Sequence, residues 1–366
     1  MVLPATTTPS MWRYRDLLSF DASVPEVSMG EGLTPLVPSR LLPGMQLFWK
    51  DETRNPTGSH KDRPLSLAAT DARHRGARTM VVVSAGSTGL SNAAYAARGG
   101  MRAIAVMAEG APTDRVYPLH ALGSRLISVT GSGIDELIEA VSALHGVGGL
   151  YVASTTRAAN PVQAEASRTI AYELVDQLGG APDVLVVPVG GGGTIAGIHG
   201  GFVQLRAMGR IGRLPRLVAV VPSRYDALDR AFLQGITLAA DLLRLPPPIG
   251  GPTVLNKIAH GHPPDGAEAL LALRESEGTV CAFDDPLAIG AVLEIGAVDG
   301  LYFEPSTAIV VPALRRLHES GWLRPGETVV ALGCGSGFRE TSVMRDALPL
   351  RLESITRDGL SKVLAG

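Results

Sequence analysis

The segment DVLVVPVGGGGTIAGI, residues 183–198, decides the fold class of this 366-residue chain. It joins an apolar run, typical of a strand covered on both faces, to four glycines and then to a stretch with helical spacing. Similar apolar runs recur along the chain, and alanine-rich stretches with helical periodicity separate them. The predicted strands are residues 45–50, 79–85, 103–109, 124–130, 150–154, 183–189, 216–222, 279–285 and 328–334. This alternation predicts an α/β fold with mostly parallel sheets.

Composition bounds the function classes. At 366 residues the chain exceeds the usual size of one domain, so we expect two cores. A net charge of −2 gives no basic field for nucleic acid. Two cysteines, Cys281 and Cys334, are too few for a disulfide framework and lack metal-ligand spacing, so no metal site is predicted. Without a signal-like amino terminus or an apolar run of about 18 residues, a cytoplasmic protein with no membrane partner is expected.

The four glycines, Gly190–Gly193, lie where a parallel sheet usually binds its ligand, between a strand end and a helix start. Four glycines in a row cost considerable conformational entropy on folding. We therefore predict that the backbone approaches a phosphate closely at this helix start, with Thr194 beside it. The segment is neither a P-loop nor a G-x-G-x-x-G fingerprint.

Two further turns follow predicted strands. SAGSTGLSNAA, residues 84–94, offers backbone N–H groups and hydroxyls for a carboxylate or phosphate, although serine and glycine are also ordinary capping residues. ALGCGSGFRE, residues 331–340, carries Cys334 and Ser336, which suit a core or a turn equally. A third segment, residues 244–266, is a long connection rich in proline and glycine.

A lysine lies in the tight loop NPTGSHKDRP, residues 55–64, of a chain that has only four lysines among 33 basic residues. An amine condenses with an aldehyde only when it is unprotonated, so such a lysine needs a lowered pKa, which arginine cannot provide. Lys61, the glycine-rich phosphate seat and the carboxylate-binding turn together are the parts needed to hold pyridoxal phosphate and an amino acid.

Five segments, in order, resemble the fold type II pyridoxal-phosphate enzymes, and among them the group of threonine synthase, cysteate synthase and the tryptophan synthase β subunit. They are EGLTPLVPS (31–39), KDETRNPTGSHKDR (50–63), SAGSTGLS (84–91), NPVQAEASRT (160–169) and VGGGGTIAGI (189–198). The resemblance implies two three-layer α/β domains with twisted sheets. Residues 1–84 and 156–366 would form a large cofactor-binding domain, residues 85–155 a smaller mobile domain, and two chains a homodimer.

The resemblance also implies a role for each candidate residue. Lys61 would be the Schiff-base lysine and proton shuttle, and a small amino acid would be the substrate. The remaining cofactor contacts would be Gly190, Gly191, Gly192, Gly193 and Thr194 for the phosphate, with Ser87 standing where the family has an asparagine. The substrate carboxylate would contact Ser84, Ala85, Gly86 and Thr88.

Two cofactor contacts stay open. His60 replaces the aromatic residue that usually precedes the lysine, and it either touches the cofactor phosphate or is a plain packed histidine. The position facing the pyridine nitrogen aligns with Cys334, and Ser336 is a neighbour that could serve instead. A hydroxyl or thiol there, rather than a carboxylate, would favour elimination and replacement over transamination.

The substrate side departs from threonine synthase. Gln163 stands where those enzymes commonly have arginine in NPxRxEGxKT, although Arg157 or Arg168 could supply the missing charge. We therefore expect a lyase or synthase that eliminates or replaces a group on the β or γ carbon of a small amino acid. The alternatives are a true threonine synthase acting on O-phosphohomoserine, and a catalytically silent binding protein that retains the fold. A nicotinamide-dependent dehydrogenase would need the fingerprint that this chain lacks.

Overall fold

The computed structural model describes residues 9–19, 21, 23–348, 352, 354–357 and 363–364, and the fold is given for these residues. Within them, ten strands form two sheets. The strands are β1 Leu36–Pro38, β2 Gln46–Asp51, β3 Thr79–Val83, β4 Arg102–Ala108, β5 Arg125–Val129, β6 Leu150–Val152, β7 Val184–Pro188, β8 Arg216–Pro222, β9 Thr279–Phe283 and β10 Thr328–Gly333. Each of the nine predicted strands is confirmed. The short β1 was not predicted.

Helices alternate with these strands. They are α1 Asp62–His74, α2 Ser87–Arg98, α3 Thr113–Ala121, α4 Ile134–Ser142, α5 Pro161–Ala164, α6 Arg168–Leu178, α7 Gly193–Ala207, α8 Ala227–Leu233, α9 Ala239–Leu243, α10 Gly266–Glu275, α11 Asp285–Asp299, α12 Pro305–Ala308, α13 Val310–Glu319 and α14 Thr341–Ala347. The alanine-rich stretch at residues 159–180, which has helical periodicity, is divided into α5 and α6. The second of these helices ends at a left-handed glycine, Gly179 with φ 72°.

The larger sheet has the strand order β1-β2-β10-β7-β8-β9, and it is parallel except for the β1–β2 pair. Alternate residues of β7 point to opposite faces. Leu185 and Val187 belong to a core shared with α6 and α7, whereas Val184 and Val186 belong to one shared with α11 and α13. The sheet therefore lies between two layers of helices, as the α/β prediction required.

The smaller sheet has the order β5-β4-β3-β6 and is parallel throughout. Its β3 lies before the predicted boundary at residue 85, and Met80 of that strand shares a buried cluster with Leu65 of α1. The first strand of this sheet and a helix packed on it thus lie in the range assigned to the large domain. The division into a large and a mobile domain remains a prediction.

A buried network of charges holds α1 to the larger sheet. The Arg63 guanidinium donates to both carboxylate oxygens of Glu52 at 2.7 Å and to those of Glu173 at 2.6 and 2.8 Å. Lys50 Nζ donates to Glu173 Oε2 at 2.7 Å and to the Thr34 carbonyl at 2.7 Å. Burial acts to raise the pKa of both glutamates, but the charges of Arg63 and Lys50 and the hydrogen bonds from Arg63 together outweigh it, so the pKa of each is lowered and both stay ionised.

Replacing Arg63 with leucine should lower the free energy of unfolding by about 3–5 kcal/mol, because Glu52 and Glu173 would be left buried with less compensation. Denaturant unfolding of the cofactor-free protein measures this change. Arg75→Leu is the control, since the Arg75 side chain is 59% exposed in its pair with Asp71, and it should cost less than about 1 kcal/mol. Equal losses in the two variants would contradict a special role for the buried network.

Candidate active site

Three loops meet at the carboxyl end of the larger sheet. The lysine loop follows β2, the glycine loop follows β7, and the turn at residues 334–337 follows β10, the strand that lies between β2 and β7. Loops at this edge of a parallel sheet converge on one cleft. The fold therefore brings together segments that are more than 270 residues apart in sequence.

Backbone hydrogen bonds fasten the lysine loop to the last turn. The His60 N–H donates to the Cys334 carbonyl at 3.0 Å, and the Ser336 N–H donates to the Gly58 carbonyl at 3.1 Å. Ser59 pairs with Gly335 in an isolated antiparallel bridge between them. Lys61, the next residue before α1, is consequently held beside Cys334.

Lys61 differs from the other described lysines in its ionic partners. Lys50 pairs with Glu173, and Lys257 pairs with Glu304 and Glu340, whereas Lys61 has no carboxylate within 4 Å among the described residues. Lys362 lies outside the described residues. Burial lowers the pKa of Lys61, and the acidic groups of Cys334, Asp265 and Glu304 oppose that shift only in part. The site thus favours a neutral amine at this position.

Of the two candidates for the ring partner, Cys334 is the one beside the lysine. It is buried, and burial raises the pKa of its thiol well above the usual value, so the thiol stays neutral. The Ser336 hydroxyl accepts a hydrogen bond from the Phe338 N–H at 3.3 Å and caps the short turn that follows. The geometry favours Cys334, with Ser336 serving the turn.

His60 is a neutral histidine. Burial and the adjacent Lys61 lower its pKa to about 3. Its Nδ1 lies 3.2 Å from the Cys334 carbonyl oxygen, which can only accept, so Nδ1 carries the proton and Nε2 is left as an acceptor. A ring in this form fastens the loop to the last turn but offers no cation to a phosphate.

The glycine loop needs its glycines for a reason that differs from the predicted one. A Cβ atom on Gly190 would lie 2.8 Å from the Ile258 Cα, and one on Gly192 would lie 2.5 Å from the Asp265 carbonyl oxygen. Gly192 also has φ +95°, a conformation that other residues rarely adopt. Residues 258–265 of the same chain, rather than a ligand alone, therefore exclude side chains from this loop.

The glycine loop still provides a seat for an anion. None of the N–H groups from Gly190 to Thr194 donates a hydrogen bond within the described part of the chain, and they lie just before and at the first two positions of the 15-residue helix α7. Unbonded N–H groups at a helix start attract a phosphate. Together with Lys61 and Cys334, they fit the phosphate, the aldehyde and the ring of pyridoxal phosphate.

The Ser84–Thr88 loop begins α2 on the smaller sheet. The Gly86 N–H donates to Ser84 Oγ at 3.1 Å, and Ala85 and Thr88 are half-buried beside it. The N–H groups of Ser87 and Thr88 donate to no described residue, because the first helical bond runs from Leu90 to Gly86. The loop therefore offers unbonded N–H groups to an anion such as a carboxylate, and Ser87 Oγ accepts a bond from Lys257 Nζ at 3.3 Å.

Gln163 is the most unusual polar residue of the site. Its side chain is buried, at 2% exposure, and neither the amide oxygen nor the amide nitrogen has a hydrogen-bond partner. Its backbone N–H donates to Asn160 Oδ1 at 3.3 Å, which fixes the start of α5. A buried amide without partners is costly, so its two polar atoms are available to a ligand.

The two arginines near Gln163 differ. Arg157 donates its N–H to Asp265 Oδ1 at 3.0 Å beside the glycine loop, and its Nε is buried without a partner. Arg168 lies 3.6 Å from Glu165 and packs against Gly200 of α7. Arg157 is therefore the one placed to meet a negative group.

Sequence reasoning missed the acidic and basic residues that the long connection brings in. Lys257 and Asp265 both belong to the proline- and glycine-rich segment 244–266, which was interpreted only as a connection. Glu304 packs its carboxylate against Gly335 of the last turn. The scarcity of lysine was the one signal that could have drawn attention to Lys257. Among the described residues, no group of three or more potential ligands is placed to hold a metal ion, and no helix is both long and apolar enough to cross a membrane.

Comparison with known sequences points to one family. A family model described as pyridoxal-phosphate dependent enzyme matches residues 27–335. Threonine synthase of Mycobacterium tuberculosis (strain ATCC 25618 / H37Rv) is 30% identical over 359 residues, which cover 95% of each chain. Threonine synthase of Synechocystis sp. is 31% identical over 358 residues, covering 93% of this chain and 88% of its own.

Solved structures share the fold at lower identity. A fungal L-serine ammonia-lyase from Rhizomucor miehei superposes with a TM-score of 0.70 at 20% identity, covering 86% of this chain and 98% of its own. O-ureido-L-serine synthase superposes with a TM-score of 0.68 at 23% identity, covering 90% and 96%. Both likenesses concern the fold alone.

Replacing Gly191 with valine should weaken pyridoxal phosphate binding by tenfold or more, because the side chain would crowd the unbonded N–H groups of the loop. Gly191 suits this test better than Gly192, whose positive φ would add strain of its own. A Cβ on Gly191 meets only the Pro264 ring, at 3.3 Å. Gly180→Val is the control, since nothing lies within 4 Å of a Cβ there. Fluorescence titration with the cofactor measures both, and unchanged affinity for the Gly191 variant would mean that the glycines serve only the turn.

Proposed function

We propose, from the premise that this chain belongs to the family of pyridoxal-phosphate dependent enzymes, that its substrate is a small amino acid without a phosphate group. The family match spans residues 27–335, and threonine synthases are 30% identical over nearly the whole chain. The protein is thus a pyridoxal-phosphate-dependent lyase or synthase that eliminates or replaces a group on the β or γ carbon. The proposal concerns the roles of its residues and the kind of substrate it takes.

Pyridoxal phosphate, when bound, spreads the negative charge that a substrate carbon acquires on losing its proton. In the proposal, the N–H groups of Gly190–Gly193 and Thr194 hold its phosphate, and Lys61 holds its aldehyde carbon. The neutral Cys334 thiol would face its ring nitrogen and would leave that nitrogen unprotonated. This choice of partner favours elimination and replacement over transamination.

Lys61 moves the proton of the substrate α carbon. An amine accepts a proton only when neutral, so the lowered pKa of Lys61 extends the pH range in which it acts as a base toward neutrality. The Ser84–Thr88 loop orients the substrate carboxylate at the start of α2. His60, neutral and bonded to the Cys334 carbonyl, keeps the lysine loop against the last turn.

The buried amide of Gln163 supports a substrate without a phosphate. A phosphate dianion is bound best by charged donors, whereas an amide offers one neutral donor group and one neutral acceptor. Gln163 has both free and no water-exposed surface to satisfy them. Its amide suits a hydroxyl, an ester or an amide on the substrate side chain.

True threonine synthase, acting on O-phosphohomoserine, is the second candidate. The identity to threonine synthases favours it, and so does Arg157, whose buried Nε has no partner. Arg168 supports it less, because it faces Glu165 and α7. A silent binding protein is disfavoured, since Lys61 and all four glycines are retained in the geometry that the cofactor needs.

We also propose that the chain forms a cytoplasmic homodimer and that the domain around the smaller sheet closes over the substrate. The family resemblance supports both. A monomer in sedimentation equilibrium would contradict the dimer, and identical scattering curves with and without a substrate analogue would contradict closure.

Borohydride reduction of the cofactor-loaded protein should place the pyridoxyl label on Lys61. Among the described lysines, it is the one with no carboxylate partner to hold it protonated. Peptide mapping by mass spectrometry locates the label. Label on Lys50, Lys257 or Lys362 would refute the assignment.

Replacing Gln163 with arginine should raise kcat/KM on O-phosphohomoserine by about ten- to a hundredfold, because a charge-assisted hydrogen bond to the phosphate is worth about 1.5–3 kcal/mol. The same variant should lose activity on unphosphorylated serine, threonine or O-acetylserine. Gln163→Glu, of equal size and opposite charge, is the matched control and should not gain on the phosphorylated substrate. Efficient threonine formation by the wild-type protein, at or above the roughly 10⁴ M⁻¹s⁻¹ typical of an enzyme on its own substrate, would refute the proposal.

A further inference from the structure

Lys257 is a second lysine in the site, and the mechanism above gives it no role. It lies in the long connection between α9 and α10, near the start of α2 and the last turn. Its Nζ donates to Glu304 Oε2 at 2.6 Å and to Ser87 Oγ at 3.3 Å, and it lies 2.7 Å from Glu340 Oε1. All three neighbours are buried. Lys257 thus donates two hydrogen bonds and forms an ion pair with its third neighbour, Glu340.

The direction of the bond to Ser87 has a consequence for the hydroxyl. An ammonium group can only donate, so Ser87 Oγ is the acceptor and its own hydrogen remains to be donated elsewhere. No described residue accepts that hydrogen. Ser87 is the first residue of the 12-residue helix α2, where the N–H groups of Ser87 and Thr88 are also unbonded. A buried O–H donor and two N–H donors therefore meet at one helix start.

Surrounding contacts hold Lys257 in this position. Asp285 accepts from Thr253 Oγ1 at 2.5 Å and from the Val254 N–H at 2.9 Å, which fixes the segment leading to the lysine. Arg115 of α3 contacts Glu340 and donates to Asn256 Oδ1 at 3.0 Å. Two basic and two acidic side chains balance here, because Lys257 and Arg115 face Glu304 and Glu340.

We propose that Lys257 is a positioning residue that makes Ser87 a hydrogen-bond donor to an anionic oxygen at the start of α2. The ammonium group donates to the hydroxyl oxygen and so polarises the O–H bond, whose hydrogen is then donated into the cleft. Two anionic oxygens have this chemistry, the α-carboxylate of the amino acid and the ring oxygen of the cofactor. The inference rests on the proposed function, because it concerns the loop assigned to the substrate carboxylate.

The test uses the cofactor-loaded protein and four variants, with a fifth in reserve. Lys257→Met removes the charge, and Lys257→Arg keeps it. Ser87→Ala and the double variant Lys257→Met with Ser87→Ala ask whether the lysine acts through the serine. Because Lys257→Met leaves Glu304 and Glu340 without their shared cation, Lys257→Met with Glu340→Gln restores the balance if the single variant folds poorly.

Binding of glycine, which has no leaving group, is followed by the change that it makes in the visible band of the bound cofactor. Lys257→Met should weaken glycine binding about tenfold, as should Ser87→Ala, and the double variant should lose no more than either. Lys257→Arg should recover most of the affinity. An additive loss in the double variant would overturn the inference, since Lys257 would then act independently of Ser87.

Two measurements distinguish the sources of the oxygen. If it is the α-carboxylate, Lys257→Met should weaken glycine but leave glycinamide binding unchanged. If it is the ring oxygen, the pH at which the visible band of the substrate-free protein titrates should rise by about one unit in Lys257→Met, because the anionic form loses its donor. If neither measurement changes in Lys257→Met, the inference is overturned.

Failure here is separable from failure of the proposed function. A Lys257→Met protein that keeps its pyridoxyl label on Lys61, binds glycine as the wild type does and has a visible band that titrates at the wild-type pH would overturn only the role of Lys257. A wild-type protein with no visible band, or with its label on another lysine, would overturn the proposed roles of the site itself.

Discussion

The geometry of the site depends on one buried guanidinium. Arg63 lies between Glu52 and Glu173, two residues after Lys61, and Lys50 completes the charge balance from β2. These four side chains belong to a strand, to the turn after it, and to the helices α1 and α6. Ionic bonds without solvent are directional and leave little freedom, so α1 begins at one place relative to the sheet. The position of Lys61, two residues before Arg63, follows from that constraint.

The three described lysines differ in their ionic partners. Lys50 is buried with a carboxylate at 2.7 Å, and Lys257 has two carboxylates as close. Lys61 has none among the described residues, and Asp265 and Glu304 act on it only from farther away. A buried amine without a paired charge is the reactive one, because its neutral form is the less costly. In its proposed role, Lys61 is the reactive lysine because it has no paired carboxylate among the described residues.

Much of the fold could be read from local patterns. Apolar runs such as residues 184–188 and 216–222 identified the parallel strands, since strands covered on both faces must be apolar throughout. The three-residue β1 gave no such signal, because it is an edge strand with a proline at its end. The break between α5 and α6 also escaped prediction. Glu165–Ser167 have ordinary helix-forming residues, but the backbone there makes i to i−3 hydrogen bonds, such as that from the Ala166 N–H to the Gln163 carbonyl, and no local pattern predicts them.

The site could be predicted as far as its motifs extend along the sequence. Composition and position after a strand indicated three parts of the candidate site, namely Lys61, the four glycines and the Ser84–Thr88 loop. The acidic and basic groups around Lys257 did not, because no local pattern says that Glu304 and Glu340 meet it in space. The reason for the glycines was also beyond sequence, since residues 258–265 and not a ligand alone exclude their side chains.

Residues 257–265 carry a consequence for how this protein can vary. Residues 258–265 form a wall against the glycine loop, and Lys257 donates a hydrogen bond to Ser87 Oγ. Surface connections ordinarily tolerate insertions and deletions. Here one added or deleted residue would shift the wall, the lysine or both, and a shift of about 3 Å per residue exceeds any hydrogen-bond tolerance. The segment sets the spacing between the glycine loop and Ser87, so its length is constrained more tightly than its composition.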